Sequence, residues 1–143
     1  MTKNIPPRLQ QAIDANKIVR SLGDYDSAIV GVLGEVYAEE IVGMKKAPRG
    51  KTAIDGHIGT RRVSVKAKES DKQGRYVEIS AKKRSEVDEL IIVVLRQNGE
   101  IWHYGPIPMN SIGHLFTGNK GRLPLASLDR NGIMPIYSGI DWI

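Results

Sequence analysis

The sequence of 143 residues contains no cysteine. This absence excludes disulfide bonds and thiolate metal sites, and it is typical of proteins from reducing compartments. The three histidines, His57, His103 and His114, do not follow the spacing of zinc ligands, which argues against a zinc site as well. We therefore expect a cytoplasmic protein without zinc.

Long apolar runs are also missing. No stretch approaches the roughly 18 consecutive apolar residues of a membrane-spanning helix, and the first residues lack the apolar segment of a signal peptide. The composition, with 41% hydrophobic and 26% charged residues, is ordinary for a globular protein. We therefore expect no membrane partner and one domain, residues 1–143, large enough for its own hydrophobic core.

Positive charge is concentrated in the middle of the chain. The net charge is +5, but residues 45–84 hold 13 Lys and Arg against four Asp and Glu, whereas the rest of the chain holds 8 against 12. A basic middle third predicts a polyanion as partner, and the alternative interpretation is a solvated charged face. The candidate nucleic-acid contacts in this region are Lys45, Lys46, Arg49, Lys51, Arg61, Arg62, Lys68, Lys82, Lys83 and Arg84.

Hydrophobic periodicity predicts a mixture of helices and strands. Two amphipathic helices open the chain, one over Arg8–Leu22 and one that is capped by Asp24 or Asp26 and runs to about Val42. The most apolar run, Leu90–Leu95, is typical of a central strand buried on both faces. We further expect a hairpin turn at Asn98-Gly99, a partner strand over Glu100–Pro106, a short helix within Pro108–Phe116, and strands over Arg75–Ser80, Leu123–Leu128 and Ile133–Tyr137. This order indicates an α/β or α+β fold with a mixed central sheet flanked by helices.

The stretch Ile54–Lys68 carries the clearest chemical pattern. Two short strands joined at Gly59-Thr60 bring Asp55 near the second strand. Because side chains alternate along a strand, Val63, Val65 and Ala67 should face the core, and Ser64, Lys66 and Lys68 should share the other face. One acid and two lysines would then converge. Before this hairpin, Glu35 and Glu39 lie four residues apart on one face of the second helix, although exposed glutamates are common on such helices.

An acid followed after about ten residues by a strand carrying x-x-Lys resembles the PD-(D/E)XK nuclease superfamily, with its restriction-endonuclease-like fold. The resemblance covers roughly Gly34–Leu95, and Gly-Glu-x-x-Ala-Glu at Gly34–Glu39 looks like the helix that often offers a glutamate to the site. It implies that Asp55 and a second carboxylate hold Mg²⁺ or Mn²⁺ and that Lys66 helps to activate the attacking water. Ser64 stands where the family has that second carboxylate. The candidates to replace it are Glu39 as first choice, Glu35, and Glu78 from a neighbouring strand.

Three functions are compatible with these residues. The first is a magnesium-dependent DNA endonuclease, with RNA as a possible substrate, which would need a two-fold homodimer to cut both strands of a duplex. The second is a nucleic-acid-binding relative that has lost the metal site, as Ser64 suggests. The third is an RNA-binding accessory protein that uses Tyr76 or Trp102 for stacking.

Overall fold

A computed structural model describes residues 4–23, 28–48, 53–69 and 76–143. Arg49, Lys51 and the two expected caps, Asp24 and Asp26, lie outside the described residues. The helices are α1 (Pro7–Ser21), α2 (Ala28–Tyr37), α3 (Ala81–Arg84), α4 (Met109–Ile112) and α5 (Leu125–Arg130). The strands are β1 (Lys45–Lys46), β2 (Gly56–Ile58), β3 (Arg61–Glu69), β4 (Tyr76–Glu78), β5 (Glu89–Leu95), β6 (Glu100–Pro108), β7 (Arg122–Pro124) and β8 (Ile136–Asp141).

Six strands form one mixed sheet in the order β1-β2-β3-β5-β6-β8. The pair β3 and β5 is parallel, and the other neighbours are antiparallel. The apolar strand β5 lies in the middle, and its residues from Leu90 to Leu95 are buried, as expected for a strand covered on both faces. The predicted fold class, a mixed sheet flanked by helices, is confirmed.

The first face of the sheet is covered by α1 and α2. Leu33 and Tyr37 of α2 pack with Val63, Val65 and Ile91 in one buried cluster. After Tyr37 the helix continues as a π-turn, Ala38–Val42, and it ends at Gly43, whose φ of 90° is readily adopted only by glycine. The predicted alternation along β3 is confirmed on this face, because Val63 and Val65 are buried in the cluster and Ala67 packs against it.

The second face is covered by elements from the C-terminal half together with β4. Leu90, Ile92 and Val94 of β5 pack with Leu123 and other residues of a second buried cluster. The expectation that the strand after β3 would lie beside it in the main sheet is wrong. The strand β4 instead pairs with β7 in a separate two-stranded sheet, because Val77 is buried against Leu123 on this face.

One local expectation also needs correction. Residues Leu125–Arg130 form a helix rather than the second half of a strand, with Leu125 and Leu128 buried on its inner side. The basic residues after β4 form the helix α3, which begins where Ser80 Oγ accepts a hydrogen bond from Lys83 N. Lys45 and Lys46 form the edge strand β1, which pairs with β2. In the described ranges, no helix is long and apolar enough to cross a membrane.

Candidate metal and catalytic site

Asp55 is fixed at the edge of β3, just before β2 begins. Its backbone N–H donates to Val63 O over 2.9 Å, which continues the pairing of β2 with β3 by one residue. Its Oδ2 accepts a hydrogen bond of 2.7 Å from Val65 N and one of 3.4 Å from Ser64 Oγ. The carboxylate therefore accepts a hydrogen bond from a backbone N–H of β3 that lies beyond the last β2–β3 pair. These hydrogen bonds hold the Asp55 side chain in place.

Glu35 reaches the same carboxylate from α2. Burial raises the pKa of Glu35, and the negative charge of Asp55 raises this pKa further, together with a hydrogen bond between the two side chains. The positive charge of Lys46 acts in the opposite direction. Glu35 and Asp55 thus line one cleft on the α2 face of the sheet, and the charge of Asp55 disfavours ionisation of Glu35.

Glu35 and Asp55 line a cleft of about 380 Å³ between α2 and the β1–β2 edge. Glu39 lines this cleft as well, but the guanidinium of Arg8 holds its carboxylate, with Arg8 Nη2 at 3.5 Å from Glu39 Oε2. The other Arg8 nitrogen lies 2.9 Å from Glu40 Oε1. Arg8 and Lys46 place two positive charges in the lining of the cleft. Sequence reasoning did not identify Arg8, because nothing in its local pattern shows that α1 sets it beside α2.

Lys66 lies on the other face of β3. Together with Lys68 and Glu78 it lines a separate cleft under β4. The sequence pattern predicts this shared face for Ser64, Lys66 and Lys68, and Ser64 lies on it as a buried residue, only 3% exposed. The acid pair and Lys66 therefore approach the edge of β3 from opposite sides of the sheet, and Ser64 lies between them as the side chain that hydrogen-bonds Asp55.

Glu78 does not lie on a strand hydrogen-bonded to β3, because β4 belongs to the two-stranded sheet. Its carboxylate accepts a hydrogen bond of 2.9 Å from Arg122 Nε in the β4–β7 pair. The proximity argued from adjacent strands is therefore wrong for Glu78, and the cleft that it lines is the one that contains Lys66.

The basic candidates fall into two groups. In the first group the charges are already paired: Arg61 Nε lies 2.7 Å from Glu89 Oε1, and Arg62 holds Asp88 through its backbone N–H and its guanidinium. These contacts lower the pKa of Asp88 to about 2. Arg84 donates to Ile79 O and lies over the ring of Phe116. These three arginines have structural partners.

The second group consists of lysines that lie closer to solvent. Lys45 and Lys46 are exposed on β1, beside the acid pair. Lys82 and Lys83 are exposed on α3, and Lys68 Nζ lies 5.3 Å from the centre of the Tyr76 ring. Surface lysines of this kind suit phosphate contacts that carry no sequence preference.

The carboxylates of the cleft are the candidate ligands for a divalent cation. Within the described ranges, no group of three or more His, Asp or Glu side chains could hold a metal ion. Mg²⁺, however, is often held by one or two carboxylates, with waters and substrate phosphates completing its shell. Glu35 and Asp55 supply such a pair, and a cation would relieve their mutual repulsion, so these two residues fit Mg²⁺ or Mn²⁺.

Comparison with known proteins gave no relative: no protein-family model matches the chain, and no curated protein sequence matches it. The chemistry of the site must therefore be argued from the side chains themselves. The strongest feature is that Glu35 and Asp55 line one cleft together, and the cation that acts on Glu35 there is Lys46.

Proposed function

We propose that the protein is a divalent-metal-dependent endonuclease that hydrolyses phosphodiester bonds in DNA. The observation that carries the proposal is that Glu35 and Asp55 line the same cleft beside β3, together with Arg8 and Lys46. A pair of carboxylates with a basic surround suits a cation that must in turn receive a phosphate. The resemblance to the restriction-endonuclease-like fold agrees with this assignment.

The residues of the cleft would divide into metal ligands and phosphate contacts. Glu35 and Asp55 would hold the metal ion, which when bound would polarise a phosphoryl oxygen and lower the pKa of a coordinated water. Asp55 is preorganised by Val65 N, so it needs no rearrangement. Lys46 would attract the phosphate backbone to the cleft, whereas Arg8 is already paired with Glu39 and Glu40. Lys66 lines the cleft on the other face of β3, so it would hold a neighbouring phosphate of the substrate rather than the reacting one.

The assigned pair differs from the first choice made on the sequence. Glu39 remains in the cleft, but its carboxylate is engaged by Arg8, whereas Glu35 lines the cleft with Asp55 and feels its charge. We therefore assign the second metal ligand to Glu35. A homodimer would supply a second active site for cutting both strands of a duplex, and this part of the proposal follows from the single acid pair in the described chain.

A second candidate function is nucleic-acid binding without cleavage. It is favoured by Ser64, which is buried and donates its hydroxyl to Asp55 where the family pattern has a carboxylate. A serine cannot supply the missing negative charge. In this alternative the basic surface would remain useful, and the acid pair would be the remnant of a lost metal site.

The deciding experiment combines cleavage with metal binding. Supercoiled plasmid incubated with the protein and Mg²⁺ or Mn²⁺ should be nicked, and EDTA should abolish the nicking. Mn²⁺ should also raise the melting temperature of the parent protein, because a ligand that binds only the folded state stabilises it. Calcium should bind without supporting cleavage.

Matched variants make this test specific. Glu35→Gln and Asp55→Asn should each abolish both the nicking and the rise in melting temperature. Glu40→Gln is the control, because Glu40 lies on the following turn, is held by Arg8 and is not part of the acid pair. Glu39→Gln should retain most of the rise. A melting curve that millimolar Mn²⁺ leaves unchanged would reject the metal site and favour the binding function.

Binding to DNA is tested separately. Affinity should fall steeply with salt, because each neutralised phosphate releases counterions. Changing Lys82 and Lys83 to Ala should weaken binding to all sequences alike and reduce the steepness of the salt dependence by about 0.9 for each phosphate that is no longer neutralised. Arg84 is left unchanged in this variant, since it also packs against Phe116. No binding to DNA or RNA at low salt would contradict both candidate functions.

A further inference from the structure

A cavity of about 210 Å³ lies on the second face of the sheet, away from the acid pair. Its floor is formed by Val94 of β5 and by Trp102 and Tyr104 of β6, and α5 closes it with Leu125 and Asp129. Pockets for drug-sized ligands measure roughly 300–1,000 Å³. This cavity is smaller and has aromatic walls, so it suits a single planar ring system.

Arg96 brings unused hydrogen-bond donors to this cavity. Its guanidinium carbon lies 4.6 Å from the centre of the Trp102 ring, which holds the side chain along the cavity wall. Its Nε is buried and has no hydrogen-bond partner within the described part of the chain. A buried donor without an acceptor costs free energy. A ligand acceptor that draws the guanidinium of Arg96 into the cavity would remove that cost.

Asp129 brings an acceptor to the same cavity. Its Oδ1 accepts a hydrogen bond of 3.0 Å from Tyr104 Oη, which ties α5 to β6. An ionised carboxylate has about four acceptor positions, so the contact with Tyr104 leaves capacity for a ligand. The wall opposite the apolar floor thus offers both a donor, Arg96, and an acceptor, Asp129.

We propose that this cavity binds one nucleobase, and that the base is guanine. Guanine is the base that carries two adjacent donors, N1–H and the N2 amino group, and these match the two oxygens of a carboxylate such as Asp129. The same base offers O6 and N7 as acceptors, which are the usual partners of arginine. The ring of Tyr104 would contact the flat base, because the ring of Trp102 is already covered by Arg96 and stacked with Tyr137.

The cavity neighbours the cleft that contains Lys66 and Lys68. Val94 pairs directly with Lys68 in the parallel β3–β5 register, so the cavity begins one strand away from the cleft that contains Lys66 and Lys68. Pro124 of β7 lines the cavity, whereas Tyr76 of β4 lines the cleft, so the two-stranded sheet separates them. That the base belongs to a nucleic-acid chain rests on the proposed function, whereas binding of the base itself does not.

The test uses the four ribonucleoside monophosphates and the parent protein in EDTA, with binding measured by calorimetry and by quenching of tryptophan fluorescence. Guanosine monophosphate should bind, and the adenosine, cytidine and uridine nucleotides should bind at least about tenfold more weakly, as expected for a base that cannot form the bidentate pair. Because ribose and phosphate are common to all four, the difference isolates the base.

Two variants assign the binding to the cavity. Asp129→Asn should weaken binding of guanosine monophosphate by about tenfold or more. Asp141→Asn is the matched control, because Asp141 also accepts a tyrosine hydroxyl, that of Tyr137 at 2.9 Å, but does not line the cavity. If Asp129→Asn does not fold, Ala126→Phe, which fills the mouth of the cavity from α5, should abolish binding instead.

Each outcome has a defined meaning. Equal binding of all four nucleotides, no binding at millimolar concentration, or full binding by both cavity variants would overturn the proposal. Guanosine monophosphate binding by a protein that never cuts plasmid would support the cavity and reject the nuclease. Metal-dependent cutting without nucleotide binding would do the reverse. The two proposals can therefore fail independently.

Discussion

The two faces of the central sheet gather polar groups in opposite ways. At the α2 face, Glu35 and Asp55 line one cleft together, with cations nearby. On the other face, Arg96 and Asp129 line a cavity with aromatic walls. Like charges that line one cleft suit a cation, because a cation relieves their repulsion. A donor and an acceptor beside flat rings suit an uncharged planar ligand. From this difference in charge pattern we expect metal-dependent chemistry at the Glu35–Asp55 cleft and binding of a base at the Arg96–Asp129 cavity.

The two regions are also held by different contacts. Glu35 depends on how closely α2 approaches β3, and that approach is fixed at Gly34, where a Cβ atom would lie 2.7 Å from Ala67 Cβ. The cavity depends on α5 and on Tyr104, which Asp129 ties together. Because different residues build the two regions, changes in one should leave the other intact.

The largest expected effect breaks the α2 face alone. Gly34→Val would force α2 away from β3, and overpacking of this kind costs about 1–3 kcal/mol of stability. The rise in melting temperature with Mn²⁺ should disappear, because Glu35 would move away from Asp55, whereas binding of guanosine monophosphate should persist. Denaturant unfolding, melting with Mn²⁺ and nucleotide titration measure the three results.

Gly31→Val is the matched control in the same helix. A Cβ atom at Gly31 would meet nothing within 4 Å, so this change should alter helix propensity without altering packing. If Gly34→Val keeps the parent stability and the parent response to Mn²⁺, then α2 does not position Glu35 in the way described above.

Local patterns in the sequence predict most of the α2 face. The helices α1 and α2, the hairpin at Gly59-Thr60 and the buried strand β5 each follow from periodicity or turn chemistry within a few residues. Asp55 could be identified for the same reason. The choice between Glu35 and Glu39 could not be made, because both lie on one helix face and the packing of α1 decides which of them Arg8 engages.

The opposite face is less predictable, because distant segments build it. The strand β4 pairs with β7, and Glu78 and its partner Arg122 are 44 residues apart in the chain. No local pattern identifies such a partner. For the same reason the sequence could not bring Asp129 next to Tyr104, or show that Lys66 and Glu35 lie on opposite sides of β3.

A smaller effect, on the rate of nicking, is expected when Lys66 is changed. Lys66→Ala should leave the fold and the Mn²⁺ response intact, because Lys66 lies on the face away from Glu35. Nicking should fall by about tenfold or more, which corresponds to roughly 1.4 kcal/mol, because a phosphate next to the cut would be held less well. Lys17→Ala, which changes an exposed lysine of α1 that lines neither cleft, is the control and should cut at nearly the parent rate. Equal loss in both variants would indicate a general effect of charge, and no loss in Lys66→Ala would remove this residue from the site.

The smallest effect concerns the stability of the acid pair without metal. Burial and the charge of Asp55 raise the pKa of Glu35 above its ordinary value of 4.5. Between the ordinary and the raised pKa, the folded state therefore binds more protons than the unfolded state, and the contribution of Glu35 to stability falls as the pH rises through this window. Above the window the two ionised acids repel each other.

Glu35→Gln removes this repulsion while keeping a side chain that can donate a hydrogen bond to Asp55. In EDTA the variant should melt at a higher temperature than the parent at pH 8, and the difference should shrink as the pH falls toward 4.5, where the parent also carries a proton at this position. For Glu40→Gln, which changes an acid outside the pair, the difference in melting temperature from the parent should not show this dependence on pH. In the parent, Mn²⁺ should bind more weakly as the pH falls, because it competes with that proton. A Glu35→Gln protein that is less stable than the parent at pH 8 would mean that the two carboxylates do not repel each other. The α2 face would then lack the charge pattern that distinguishes it from the guanine cavity.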